Sequence, residues 1–173
     1  YPIPFHNAQD MIESLLYLSL AKDDNNLLFP NPDDPLAPPP SVVQNIADID
    51  TGDVYRTAYK NLCTRPNQVI CGIICYIDKL ATGRHGHLSL EPVYFTLSIF
   101  NQKTRNRPEA WRPLGYIPNI GLMLKTESTH DMKSPTKVQL YHDILSNIFG
   151  SLVDLQGKEG GLPYQSFYHG KVY

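Results

Sequence analysis

The middle of the chain reads Val69-Ile70-Cys71-Gly72-Ile73-Ile74-Cys75-Tyr76-Ile77-Asp78-Lys79. A continuous apolar run of this length is typical of a β-strand that is buried on both faces. This run ends abruptly in a carboxylate, and active sites of α/β folds collect at the carboxyl ends of such strands. The pattern therefore predicts a buried strand over 69–78 that presents Asp78 at the rim of a sheet.

Two more strand-like segments follow this run, at 90–100 and 111–118. Gly83 and Gly86 lie between the first and second segments, and Asn106 and Pro108 lie between the second and third. Glycine, asparagine and proline favour turns, and strands joined by short turns pair with their neighbours in antiparallel order. The three segments therefore predict an antiparallel three-strand meander.

Residues 1–65 are predicted to be a helical lead-in that contains a proline-rich loop at 23–45. Asn7 suits the N-cap of a first helix, and Asp50 or Thr51 suits the N-cap of a second. The apolar residues at helical spacing are Met11, Ile12, Leu15, Leu16 and Leu18 in the first helix, and Tyr55, Ala58, Tyr59 and Leu62 in the second. We expect both sets to form packed faces.

A long helix is predicted to begin at Ser134-Pro135, because serine suits the cap and proline suits the first turn. Its apolar stripe consists of Tyr141, Ile144, Leu145, Ile148, Phe149, Leu152 and Leu155. Glycines from 157 to 161 end the helix, and alternation over 164–173 predicts a further strand. We expect the helix to pack on the meander.

The location of the protein is predicted from what its sequence lacks. No apolar stretch reaches the roughly 18 residues of a membrane span, and no signal peptide is visible. The 3 cysteines form no disulfide framework, which indicates a reducing compartment. We expect a nuclear or cytoplasmic protein that is neither secreted nor bound to a membrane.

The formal net charge of −2 hides a strong asymmetry along the chain. Residues 1–54 hold 9 acids and 1 base, whereas residues 55–112 hold 9 bases and 3 acids. A local basic field can hold a phosphate backbone, although an ordinary solvated surface is the alternative. The candidate DNA-binding residues are Lys79, Arg84, Lys103, Arg105, Arg107 and Arg112. Trp111 either stacks on a base or, as we favour, packs in the core.

Asp78 is the candidate catalytic residue and the candidate metal ligand. Nucleases cut phosphodiesters with two divalent ions about 4 Å apart, and Mg²⁺ prefers hard oxygen ligands. The alternative is an aspartate that only ends a strand and caps a turn. Elsewhere, the cysteines and histidines at 63–87 have no standard zinc spacing, so buried free thiols are expected there.

Short motifs also stand in a fixed order along the chain. They occupy segments 27–31, 34–35, 50–52, 55–59, 71–79, 88–93, 104–106, 110–118, 141–145 and 168–173. Among them are Ile77-Asp78-Lys79 and Ala110-Trp111-Arg112. Taken in this order, the motifs resemble the transposases of plavaka-type, CACTA-related DNA transposons over most of the chain.

This resemblance implies an α/β fold with a ribonuclease-H-like transposase core at 66–173. The core would be a truncated mixed sheet, made of the antiparallel three-strand meander and the packed long helix, behind the N-terminal helical lead-in. The resemblance also implies Mg²⁺ or Mn²⁺ in the complete protein, three catalytic acids and transposon-end DNA as the partner. Asp78 would be the first acid, with Lys79 as an electrostatic neighbour of the phosphate.

The second acid is expected at the end of a strand after the long helix, and the third in a later helix. Asp143 and Asp154 lie on the long helix itself and do not match the second position. The sequence is therefore expected to be a fragment, running from Tyr1 to Tyr173, that is inactive when isolated. One alternative is a non-catalytic transposon remnant that binds DNA or protein. Another is an unrelated α/β binding module.

Overall fold

The chain is an α/β protein in its computed structural model. The residues that the structure describes are 4–28, 34, 37–40, 45–65, 68–82, 88–121, 134–157, 161–162, 167–168 and 171–172. They fall into two compact units. The strand unit comprises Tyr1–Glu13, Cys75–Phe95 and Arg112–Pro163, and the lead-in unit comprises Ser14–Ile74, Thr96–Trp111 and Tyr164–Tyr173.

Four strands form the main sheet: β1 (Ile73–Ile77), β2 (Leu80–Thr82), β3 (Leu88–Leu97) and β4 (Arg112–Pro118). β3 is hydrogen-bonded to β1 and β2 along one edge and to β4 along the other. The β2–β3 and β3–β4 pairs are antiparallel. The predicted antiparallel meander is confirmed, with its first strand divided in two at Asp78 and Lys79.

The long helix α4 (Ser134–Gln156) packs on β4, as predicted. Its Ile144 and Ile148 side chains are buried. Gly115 of β4 lies so close to the helix that an added Cβ would be 2.9 Å from Cγ1 of Ile148. The absence of a side chain at this position therefore lets α4 approach the sheet closely.

The N-terminal segment covers the outer edge of β4 within the strand unit. Phe5 forms an antiparallel bridge with Gly115, and the His6 N–H donates to the carbonyl of Leu114 at 2.8 Å. The following helix, α1 (Ala8–Leu16), begins as predicted at Asn7, whose side chain accepts from the Gln9 N–H at 2.8 Å. Its Ile12, Leu15 and Leu16 side chains are buried, whereas Leu18 lies beyond the helix.

The prediction that the central apolar run is buried on both faces is wrong. β1 begins at Ile73 rather than Val69, and Val69, Tyr76 and Ile77 are 44%, 53% and 38% exposed. β1 pairs with β3 along one edge, and no other strand among the described residues pairs with it. Hydropathy identified the strand but did not show how much of the protein would cover it.

The second helix, α2 (Asp53–Leu62), is capped differently from the prediction. Its N-cap is Gly52, without a side-chain cap, because Asp48 instead caps the preceding 3₁₀ turn, Ile49–Thr51. Leu62 is 68% exposed, so the predicted packed face does not extend to the end of the helix. Tyr55 is half-buried.

The connection between β3 and β4 is helical rather than the predicted tight turn. It contains α3 (Gln102–Arg105) and the 3₁₀ turn Pro108–Ala110. Asn101 starts α3 by accepting from the Thr104 N–H at 2.9 Å. An asparagine that caps a helix thus replaces the turn that the sequence suggested.

The remaining elements are short. 3₁₀ turns at Ser19–Lys22 and Asp24–Asn26 precede the proline-rich region. β5 (Phe167–Tyr168) pairs with β6 (Lys171–Val172) in antiparallel order, which confirms strand structure in the predicted 164–173 segment. The predicted turn with Gly83 and Gly86 lies outside the described residues. Among the described helices, none combines the length and apolar character that crossing a membrane requires.

Candidate functional site

Asp78 lies between β1 and β2 with its carboxylate held by two neighbours in the chain. The Tyr76 hydroxyl donates to Oδ2 at 2.8 Å, and the backbone N–H of Lys79 donates to Oδ1 at 2.8 Å. The pKa of Tyr76 is raised, mainly by this hydrogen bond to Asp78. Asp78 itself is exposed. Each carboxylate oxygen has lone pairs beyond the one that accepts its hydrogen bond.

The strand register shows which side of the sheet Asp78 occupies. Leu80 lies opposite Leu90, and the Ser98 N–H donates to the Gly72 carbonyl at 2.8 Å. Both pairs fit a single continuous antiparallel register between the two strands. In this register Tyr76 lies opposite Tyr94 on β3. Because neighbouring residues of a strand point to opposite faces, Tyr76 and Asp78 share the face that does not carry Val93.

Glu91 belongs to the other face of the sheet. Its Oε2 accepts from the Tyr141 hydroxyl of α4 at 3.4 Å, and α4 packs on that side. Glu91 lies near Asp78 in the strand register, but its side chain is on the opposite face of the sheet. The two carboxylates therefore do not form a pair.

The donor atoms near Asp78 determine whether a divalent metal fits the site. Within the described ranges, no cluster of three or more His, Cys, Asp or Glu side chains is arranged to hold a metal ion. Mg²⁺ requires near-octahedral oxygen coordination, which it completes with one or two carboxylates, water and substrate phosphates. In the described part of the chain, Asp78 is thus a candidate ligand without a preformed metal site around it.

Arg105, a predicted DNA contact, has an internal role in the lead-in unit. Its Nη2 donates to Oδ1 of Asp48 at 2.6 Å, and its Nη1 donates to the Phe100 carbonyl at 2.7 Å. The Arg105 and Asp48 side chains are only 13% and 18% exposed. The DNA contact of Arg105 stays a prediction, and this geometry argues against it.

The motif residues near Arg105 form one hydrogen-bonded cluster, which sequence reasoning missed. The Trp111 indole N–H donates to the Arg105 carbonyl at 2.6 Å. The buried Thr104 hydroxyl lies 3.2 Å from Oδ1 of Asn26 and 3.0 Å from Oδ1 of Asn101. The available signal was that Asp50-Thr51, Thr104-Arg105 and Trp111 all belong to the ordered motifs.

The other predicted DNA-binding residues differ in their exposure. Lys79 and Lys103 are exposed, whereas Arg107 and Arg112 are half-buried. Arg84 lies outside the described residues. Lys79 and Arg112 belong to the strand unit, and Lys103, Arg105 and Arg107 belong to the lead-in unit. The described members of the predicted set are thus divided between the two units.

The cysteines are less buried than predicted. All three cysteines are free, as predicted. Cys63 and Cys71 are half-buried and Cys75, on the poorly covered strand β1, is exposed, so the prediction that the thiols are buried is wrong. Burial nevertheless raises the pKa of Cys71 to about 12 and raises the pKa of Cys63. At neutral pH these two thiols are protonated and therefore poor nucleophiles and metal ligands.

A protein-family model described as Plavaka transposase matches residues 32–163. This range is more than half of the chain and contains β1 to β4, α4 and Asp78. Neither the curated proteins nor the solved structures contained a match.

Proposed function

Because the chain belongs to the Plavaka transposase family, we propose that it is part of a DNA transposase in which Asp78 serves strand cleavage and joining. The observation that carries this proposal is the state of the Asp78 carboxylate. It stands at the end of β1, is exposed, and is held at both oxygens by hydrogen bonds. A carboxylate oriented in advance loses little freedom when it binds a ligand.

The proposed chemistry is phosphodiester cleavage in a ribonuclease-H-like core with Mg²⁺ or Mn²⁺. When bound, such ions activate water and stabilise the leaving oxygen. The part of the chain described here contributes the orientation of Asp78, by way of Tyr76 and the Lys79 N–H, and an exposed ammonium group at Lys79. Since Glu91 faces away, we propose that the two further acids come from a strand after α4 and from a later helix, and that the isolated chain is inactive.

DNA at the transposon ends is the proposed partner, and the nucleus or cytoplasm is the proposed location. Contacts from the solvent-facing ammonium groups of Lys79 and Lys103 would be made to backbone phosphates. Arg84, Arg107 and Arg112 complete the proposed set. Binding of this kind weakens steeply as salt rises, because each contact releases a condensed counterion.

The test is Asp78→Asn in a transposase chain that includes this sequence, assayed for cleavage of duplexes carrying transposon ends. We expect a loss of cleavage with unchanged folding, because the amide cannot replace an anionic ligand. Asp143→Asn is the matched control, since Asp143 is exposed on α4 and accepts a hydrogen bond from the Gln139 side chain at 2.8 Å. Cleavage that survives Asp78→Asn would refute the catalytic role.

A second candidate function is binding without catalysis, and one feature of the site favours it. The hydrogen bond from the Lys79 N–H to Asp78 is also what an aspartate makes when it merely caps a turn. In that case the unmodified chain would bind DNA without cleaving it, and Asp78→Asn would leave DNA binding unchanged. The same pair of variants therefore separates the two functions.

A further inference from the structure

Tyr76 is an exposed aromatic residue whose hydroxyl group is held by a hydrogen bond. The residue is 53% exposed, while its hydroxyl donates to Asp78 Oδ2 at 2.8 Å. Tyr76 and Asp78 are two positions apart on one sheet face, a separation of about 6.6 Å along a strand. The hydrogen bond therefore directs the ring along the strand toward Asp78, with much of its surface open to solvent.

The surroundings of Tyr76 on this face are aromatic and apolar. Tyr94, opposite it on β3, is half-buried, and directly opposed side chains have their Cβ atoms about 4.5–5.5 Å apart. Leu80, four residues beyond Tyr76, is 49% exposed. The exposed Tyr76 ring, next to a carboxylate, thus has a second aromatic residue opposite it on the neighbouring strand.

We propose that Tyr76 stacks on an unpaired DNA base that adjoins the phosphate served by Asp78. This inference rests on the proposed function, and it assigns a binding role to a residue next to the candidate catalytic carboxylate. Every base has a π-face, so an aromatic side chain binds single-stranded DNA with little dependence on sequence. A tethered ring also has less side-chain freedom to lose on binding.

The carboxylate favours a nucleotide over a protein segment as the occupant. An apolar segment laid over Tyr76 would also cover Asp78, and burying an unpaired carboxylate is strongly unfavourable. A nucleotide places its base on the ring while its hydrated phosphate stays near the polar end of the site. Tyr76 therefore acts as a positioning residue for the strand, and Asp78 remains the group placed at the reacting phosphate.

The experiment is photocrosslinking and anisotropy with a single-stranded oligonucleotide that contains 5-iodouracil. We expect the crosslink to map to Tyr76 in the unmodified chain. Tyr76→Leu should remove this crosslink and weaken binding about fivefold or more, which corresponds to the loss of one stacked base. Tyr76→Phe keeps the ring and should bind within about twofold of the unmodified chain. Tyr17→Leu is the control, because Tyr17 is 61% exposed and lies in the lead-in unit.

Two results would overturn the proposal: a crosslink that maps elsewhere, or Tyr76→Leu binding as tightly as the unmodified chain. Crosslinking needs no substitution, so the proposal can fail even if Tyr76→Leu does not fold. The cleavage assay of Asp78→Asn is a separate measurement. Loss of cleavage in Asp78→Asn without a Tyr76 crosslink would leave the proposed function intact and remove only this inference.

Discussion

The guanidinium group of Arg105 donates to the carboxylate of Asp48 at 2.6 Å, across 57 positions of the chain. The same arginine also binds the Phe100 carbonyl through its side chain and receives the Trp111 indole N–H at its own carbonyl. Within the lead-in unit, Arg105 therefore connects the 3₁₀ turn that precedes α2 with α3 and with Trp111, the residue before β4. Arg105, which the sequence suggested as a DNA contact, thus makes hydrogen bonds within the protein.

Removing the Asp48 charge should destabilise the protein. Asp48→Asn leaves a mostly buried guanidinium without its anionic partner, and hydrogen bonds to charged groups are worth about 1.5–3 kcal/mol. We expect the free energy of unfolding, measured in urea, to fall by about 1–2 kcal/mol after allowance for the remaining solvent exposure.

Asp53→Asn is the matched control for Asp48→Asn. Asp53 also forms an ion pair, with Arg56, but its side chain is 83% exposed. Exposed pairs contribute about 0–1 kcal/mol. Equal losses in the two variants would contradict the structural role of the Asp48–Arg105 pair.

A side chain at position 115 should force α4 away from the sheet. In Gly115→Ala the new Cβ would meet Ile148 at 2.9–3.2 Å, closer than carbon atoms normally approach. Overpacking of this kind costs about 1–3 kcal/mol, measurable as a lower midpoint of thermal unfolding. Gly150→Ala, within α4, meets nothing within 4 Å and should instead stabilise the helix.

A second substitution tests the cause of that loss. Combining Gly115→Ala with Ile148→Val removes one of the carbons that the new Cβ would meet. If crowding is the cause, the double variant should be more stable than the sum of the two single losses predicts. Strict additivity would indicate that Gly115 matters for another reason.

The meander and α4 were predictable because their signals are local. Strand-like runs at 90–100 and 111–118 and a sustained apolar stripe over 141–155 depend on nearby residues alone. The exposure of Tyr76 and Cys75 was not predictable, because apolar character does not show which strand lies at an edge. The Asp48–Arg105 pair joins distant segments, and the hydrogen bond from Tyr76 to Asp78 depends on side-chain geometry that two-residue spacing permits but does not require.

The predicted boundary at 65/66 stays a prediction. In the structure, Asp48 binds Arg105 and Asn26 binds Thr104, so bonds of the lead-in unit join residues on both sides of that boundary. Composition shows where a segment changes character, whereas the partners of its polar groups show what it is attached to.

Tyr55 should make the protein less stable at high pH. The pKa of Tyr55 is raised from 10.0 to about 12, mainly because the side chain is buried. Below pH 10 both folded and unfolded forms keep the proton, so this group adds no pH dependence. Between pH 10 and 12 only the unfolded form loses it, and the free energy of unfolding should therefore fall.

Tyr55→Phe identifies this contribution. The variant cannot ionise at position 55, so its unfolding free energy should decline less between pH 10 and 12 than that of the unmodified chain. Tyr17→Phe is the comparison, because Tyr17 is 61% exposed. Parallel declines in the unmodified chain and Tyr55→Phe would show that other groups account for the loss of stability.

The exposed lysine of α3 should contribute to DNA binding more than the arginine beside it in the same helix. The Lys103 side chain faces solvent, whereas the Arg105 guanidinium binds Asp48 and Phe100. A phosphate contact releases a counterion, so Lys103→Gln should lower the slope of log K against log salt by about 0.9 for duplex DNA. Lys137→Gln, an exposed lysine on α4 that is outside the predicted set, should leave the slope unchanged. Equal changes in both variants would mean that the protein binds DNA through its general charge, and no change in either would place the DNA on another surface.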